Sequence, residues 1–249
     1  MGTTPSTIVC DPPSLSTSTR RAREHRFFTG MGLAALLIAL IGFAPTYYLR
    51  SFSSIEPLTT LVHLHGGVAT AWLLLFIAQS SLVAAGRTDL HRRVGPAGAA
   101  LAVLVVLVGY VTAIEAARKG VTPPGGPPPL AFLAIPLGTL LSFAVLAGLA
   151  LLWRRQRDTH RRLMLLATIA MLPPAFARLR WLGGGGPPFA IGGTCLLVFI
   201  CMAWDRRVQG RIHPAFLWGG GLLVLSLPLR FALTRSETWM GVARWLTAP

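Results

Sequence analysis

Three side chains at a spacing of seven residues give the sequence its clearest chemical pattern. His65, Trp72 and Gln79 lie on one face of a helix and span about 21 Å, because each residue rises about 1.5 Å and two turns take about seven residues. A polar stripe is costly against lipid, so this face is predicted to point into a helix bundle or a cavity. His65 is a candidate axial ligand to haem, with Trp72 and Gln79 as the wall of its pocket. The same side chains also suit hydrogen bonds between packed helices, and the pattern leaves both interpretations open.

Three charged residues are expected near the level of His65 along the membrane normal. They are Glu115, Arg178 and Arg230, which come from other apolar segments. Both arginines precede further apolar residues, so they are predicted to lie deeper than ordinary flanking anchors. Buried cations need partners, and Glu115 supplies one negative charge. The surplus positive charge suits a haem propionate, a lipid phosphate or a quinone carbonyl; alternatively, the long side chains extend to the outer surface.

A short motif, Asp-x-His-Arg-Arg, occurs twice, at residues 89–93 and 158–162. The period of about 69 residues suggests a duplicated helical hairpin. Each Asp is expected to cap a helix, and the basic residues after it are expected to meet lipid phosphates. A second interpretation makes His91 and His160 metal ligands, as axial ligands to a haem near the inner face.

Hydropathy predicts the elements that position these residues. The chain has 249 residues, of which 53% are hydrophobic and 12% charged, a balance typical of proteins dissolved in lipid. Seven apolar runs approach the 20 or so residues needed to cross about 30 Å of hydrocarbon, which predicts an all-α integral membrane bundle of seven transmembrane helices. The predicted spans are approximately residues 27–49, 60–86, 94–117, 130–153, 162–182, 187–204 and 214–234.

The remaining segments complete the predicted organisation. Residues 1–19 lack apolar mass and are predicted to be a disordered tail, residues 20–234 form the membrane domain, and residues 235–249 form a short interfacial segment. The fifth span contains Pro173-Pro174, which should kink it. If that segment were re-entrant, six spans would remain.

The distribution of cations predicts the orientation. Of the 23 Arg and Lys residues, 15 fall in the N-terminal cluster and three basic loops, and 8 fall on the opposite side. The positive-inside rule places the first side in the cytoplasm, so the N-terminus is inside and the C-terminus outside. Because the cations occur in short clusters between apolar runs, the formal charge of +15 indicates a lipid bilayer and not nucleic acid as the partner.

Several motifs resemble those of a group of bacterial multi-span inner-membrane proteins with no established activity. The matching segments are Val62 to Gly66, Ala71-Trp72, Gln79, Ala85 to Arg93, His160 to Thr168, Ala203 to Asp205 and Gly210 to Pro214. The His-Arg-Arg-Leu-Met helix start also resembles membrane proteins of cytochrome oxidase maturation. The resemblance implies that the protein lies in the inner membrane, and it implies no particular reaction.

The sequence favours binding over catalysis, since it contains no paired intramembrane carboxylates, phosphate-binding glycine loop or zinc-protease histidine pair. The leading hypothesis is a membrane protein that binds haem or quinone in an outer-leaflet pocket. The alternatives are a small-molecule transporter whose path is lined by His65, Trp72 and Gln79, and a non-catalytic assembly or scaffold protein.

Overall fold

The computed structural model describes residues 17–52 and 57–248, and this part of the chain is helical without any strand. Six of its helices are long and apolar enough to cross a membrane. They are Arg23–Tyr48, Thr60–Ala84, Thr88–Arg118, Pro129–Leu152, Gly186–Gln209 and Pro214–Leu233. The chain therefore has the composition and architecture of a multi-pass membrane protein.

The helices follow one another through short connectors. In chain order they are α1 (Thr17–Phe43), a π-helical turn (Ala44–Tyr48), a 3₁₀ turn (Arg50–Phe52), α2 (Thr60–Ala84), α3 (Thr88–Arg118), α4 (Pro129–Phe132), α5 (Ala134–Leu152), α6 (Arg157–Ala170), α7 (Pro173–Ala177), a 3₁₀ turn (Leu179–Leu182), α8 (Gly186–Gln209), α9 (Pro214–Leu233) and α10 (Glu237–Thr247).

The three basic connectors meet at one end of the bundle, which we call the basic end. Glu24, near the start of α1, bonds to Arg161 at the start of α6 and to Gln209 at the end of α8. His160 bonds to the carbonyl of Ala150 near the end of α5. α10 follows α9 at the far end, so the first described helix begins at the basic end and the last one lies at the opposite end.

A broken segment, residues 157–182, occupies the centre. Helix α6 packs against α1, α5, α8 and α9, and its residues from Leu165 to Ala170 are fully buried. The helix ends at Ala170, three residues before Pro173, because Pro173 and Pro174 have no backbone N–H groups to continue its hydrogen bonds. The segment continues through α7 and a 3₁₀ turn.

The two ends of the broken segment contact opposite ends of the bundle. Arg162 pairs with Asp205 at the basic end, whereas Arg180 donates to the carbonyl of Pro124 in the connector between α3 and α4. The segment therefore has a contact at each end of the bundle.

The C-terminal segment is an amphipathic helix, α10, with its N-cap at Ser236. Ala243 is buried against the ends of α3 and α4, and the Trp239 indole donates to the carbonyl of Leu130. Trp245 on the other face is 76% exposed, which suits a helix lying in the interface region.

The structure modifies several expectations from the sequence. Six helices qualify as spans, and the predicted fifth span, 162–182, is replaced by the broken segment. Asp89 and Asp158 are not helix caps: they lie in the first turns of α3 and α6, whose N-caps are Arg87 and Gln156. Residues 17–19 of the predicted tail belong to α1, and residues 1–16 lie outside the described residues.

Close packing of α1 against α7 gives a stability prediction. A Cβ atom at Gly42 would lie 2.8 Å from the carbonyl carbon of Ala175, which is backbone and cannot yield as a flexible side chain can. We expect Gly42→Ala to cost about 1–3 kcal/mol through overpacking. The measurement is the Tm of the purified protein in detergent. Gly30→Ala on the same helix is the control, since a Cβ there meets nothing within 4 Å; equal Tm values for the two variants would contradict the packing argument.

Candidate functional site

The stripe on α2 is directed towards the broken segment. The Trp72 indole donates to the hydroxyl of Thr168 over 3.2 Å and packs edge-on against Phe143, so this side chain is only 4% exposed. His65 lies partly buried, whereas His63 is exposed on another face of the helix. The orientation follows from the helical period, since residues two apart are separated by about 200°.

His65 lies in the first turns of α2, and Arg178 directly follows α7 in the broken segment. The Arg178 guanidinium stacks over the Phe43 ring at 4.6 Å from the ring centre and donates to the Pro174 carbonyl over 2.9 Å. Arg178 forms no ion pair within residues 17–52 and 57–248. The broken segment thus places a cation with no countercharge against the Phe43 ring at the end of α1.

The π-helical turn Ala44–Tyr48 forms another wall near this position. The Tyr47 hydroxyl donates to the His63 carbonyl, and the Tyr48 hydroxyl shares a hydrogen bond of 2.8 Å with Thr70. Gly66 lets the Tyr47 ring lie against α2, because a Cβ there would collide with the ring. Short π turns often occur at functional sites, because they redirect side chains without ending a helix.

Arg230 lies elsewhere, between α5 and α9. It is 4% exposed and donates to three hydroxyl groups, those of Thr139, Ser142 and Ser226, at 2.7–2.9 Å. Gly138 makes room for it, since a Cβ there would lie 2.7 Å from Cγ of Arg230. Within the described residues this guanidinium has no carboxylate partner, and its Nε atom has no hydrogen bond.

Glu115 is engaged by neighbours on its own helix end. Its carboxylate lies 3.6 Å from Arg118 and 3.9 Å from Lys119, and all three side chains are substantially exposed. Within the described part of the chain, Glu115 forms an ion pair with neither Arg178 nor Arg230. Glu115 and Arg230 therefore have other partners and do not contact Arg178.

The two repeat histidines face each other at the basic end. The ring centres of His91 and His160 are 6.4 Å apart, and the ring planes are inclined at 77°. The backbone carbonyl of Gln79 lies beside the His91 ring, so the α2 stripe ends near this pair. The Gln79 side-chain oxygen is buried without a hydrogen bond to any described residue.

A buried ion pair at the basic end was not anticipated from the sequence. Arg162 and Asp205 form a bidentate pair at 2.7 and 2.8 Å, and their side chains are only 1% and 2% exposed. Asp205 also accepts from the backbone N–H of His213, which ties α6, α8 and the start of α9 together. Both partners belong to motifs noted in the sequence, Asp158 to Arg162 and Ala203 to Asp205. Nothing in the spacing of these motifs predicts that their side chains pair.

His213 completes this group as a helix cap. Burial, followed by the positive charge of Arg162, lowers the pKa of His213 below its ordinary value. The neutral ring then accepts the backbone N–H of Ala215 through Nδ1 at 3.1 Å, which caps α9.

Two clefts open at the basic end. One, of about 510 Å³, lies between α1 and α2 and is lined by His25, Thr29 and Ser81 among others. The second, of about 430 Å³, is lined by Trp153, His213 and other side chains. Neither is lined by His65 or Arg178, which lie towards the opposite end.

Comparisons with family models, curated proteins and solved structures found no match to this chain.

The buried ion pair gives a second stability prediction. Asp205→Asn leaves the Arg162 guanidinium buried without its bidentate partner, and we expect a loss of about 3–5 kcal/mol in unfolding free energy. Asp89→Asn is the matched control, because Asp89 is 62% exposed and 3.9 Å from Arg87, where a pair contributes about 1 kcal/mol or less. Detergent unfolding curves for both variants provide the measurement.

A double variant separates charge burial from packing. Arg162→Met with Asp205→Leu removes both charges, and we expect it to recover part of the stability lost in Asp205→Asn. A double variant as unstable as the single one would show that the pair is not the source of the effect.

Proposed function

We propose that this chain is a bacterial inner-membrane protein with seven crossings, which binds haem or a quinone between α2 and the broken segment at its outer end. The N-terminus is cytoplasmic and the C-terminus periplasmic. His65 serves as axial ligand or hydrogen-bond donor, Arg178 holds an oxygen of the ligand, and Trp72 forms the inner wall.

The broken segment supports the count of seven. It extends from the Arg162–Asp205 pair at the basic end to the Arg180–Pro124 contact at the other end. Its backbone can cross hydrocarbon despite the break, because packed helices shield it from lipid on its α6 side.

The clustering of cations supports the orientation. The connectors that carry most of the Arg residues meet at one end, together with the start of α1. Positive residues are retained in the cytoplasm, so this end is assigned to the inside.

The single observation that carries the binding proposal is the environment of the Arg178 guanidinium. A guanidinium in the membrane region is costly unless an anion or several acceptors surround it. Arg178 has one carbonyl and the Phe43 ring as partners, and no carboxylate in the described part of the chain. A ligand oxygen would complete this set.

Haem and quinone share the required chemistry, a flat apolar ring bearing oxygen acceptors. A haem presents propionates to Arg178 and iron to the His65 imidazole, whereas a quinone carbonyl accepts from both side chains. The neighbouring Phe43 and Tyr47 rings offer apolar surface to either molecule.

The transport alternative receives less support. Trp72 lies between His65 and Gln79 along α2, and its indole is hydrogen-bonded and packed against Phe143. A path along this stripe would require that side chain to leave its site. The scaffold alternative predicts no effect of substitutions at His65 and Arg178.

Cysteine labelling tests the crossing count. In a background with Cys10, Cys195 and Cys201 replaced by Ala, single cysteines are placed at the exposed positions Arg155 and Pro188. A membrane-impermeant maleimide added to intact cells should label Pro188→Cys and not Arg155→Cys, because residues between them cross once. Labelling of both, or of neither until lysis, would show that the segment does not cross.

Ligand content tests the binding proposal. The full chain, purified in mild detergent, should carry a Soret absorbance or an extractable quinone. We expect His65→Ala and Arg178→Ala to lower occupancy by about 10-fold or more, since losing a charged hydrogen bond costs about 1.5–3 kcal/mol.

Two neighbouring variants are the controls. His63→Ala removes an exposed histidine from the same helix, and Arg180→Ala removes an exposed arginine from the same segment. Both should retain the ligand. The proposal would be overturned by a preparation that contains neither ligand and binds neither added haem nor an added ubiquinone analogue.

A further inference from the structure

A second site is suggested where the two copies of the repeat meet. His91 and His160 are the third residues of the two Asp-x-His-Arg-Arg motifs. Each lies in an early turn of its helix, α3 or α6, and both helices pack against α5. Equivalent residues of the two copies thus become neighbours at the basic end.

The His160 ring is held in one tautomer. Its Nδ1 lies 2.8 Å from the Ala150 carbonyl, and a carbonyl can only accept a hydrogen bond. Nδ1 of the neutral ring therefore carries the proton, which leaves Nε2 with a free lone pair. Metal-binding histidines are typically oriented in this way, by a backbone carbonyl bound to the other ring nitrogen.

The His91 ring has an unsatisfied nitrogen. Its Nδ1 is buried and makes no well-formed hydrogen bond to any described residue, although the Gln79 carbonyl lies beside the ring. Buried polar atoms without partners are uncommon, and each one calls for a specific explanation.

The separation of the rings matches a single bridging ion. When one nitrogen of each ring binds an ion at about 2 Å, the ring centres lie about 6 Å apart. The observed distance is 6.4 Å. A porphyrin between the rings would instead need a wide flat slot between α3 and α6, and both helices pack on α5.

We propose that His91 and His160 bind one Cu(I) ion at the basic end, in two-coordinate geometry. The described residues contain no group of three or more His, Cys, Asp or Glu side chains suited to a metal. An ion that requires four protein ligands would therefore lack ligands among these residues. Cu(I) accepts two nitrogen ligands in a line, and imidazole suits copper. This site is independent of the His65–Arg178 proposal.

The test uses Cu(I) itself. The full chain in detergent is titrated anaerobically with Cu(I) against a chromogenic chelator, and we expect one ion per chain. His91→Gln and His160→Gln should each weaken binding by more than about 100-fold, beyond the 10–100-fold loss typical of outer partners. His63→Ala, which removes an exposed histidine near the start of α2, should bind Cu(I) as the unchanged protein does.

X-ray absorption on the unchanged protein gives a readout that does not depend on variants folding. We expect two nitrogen neighbours at about 2 Å and no sulfur. Binding that survives both Gln variants, or sulfur ligation, would overturn the proposal. A Soret band lost in both Gln variants would also overturn it, because the pair would then bind haem iron.

Discussion

The burial of α6 is the constraint on which the rest of the structure depends. A helix of 14 residues is about 21 Å long, too short for about 30 Å of hydrocarbon, and it carries Arg162 into the interior. Asp205 neutralises that arginine, and the segment continues after the break as α7 and a 3₁₀ turn. The break determines where Arg178 lies, and hence its position over the Phe43 ring.

Much of the fold could be predicted from hydropathy and charge, because a helix that crosses a membrane must have a certain length and an apolar composition. Six predicted spans correspond to helices whose ends differ from the prediction by a few residues. The proline pair also indicated where the remaining segment would break. What could not be predicted was that this least apolar run would be the most buried, since Arg161 and Arg162 resemble the flank of a span.

The candidate site could be predicted only in part from the sequence, for a physical reason. Helical periodicity separates His65 from His63 and places Trp72 on the inner face, because one helix determines those positions. The partner of a charge depends on packing between helices. Glu115 pairs with residues three and four positions away, whereas Asp205 pairs with Arg162, 43 residues distant in the chain. No spacing rule distinguishes these outcomes.

The two copies of Asp-x-His-Arg-Arg now have different tolerances to sequence change. The final arginine of the first copy, Arg93, is exposed, while its counterpart Arg162 is buried in an ion pair. Genetic drift can therefore replace the first with any residue compatible with the membrane surface, while the second is constrained together with Asp205. The same five-residue motif therefore forms part of the buried core in one place and part of the exposed surface in the other.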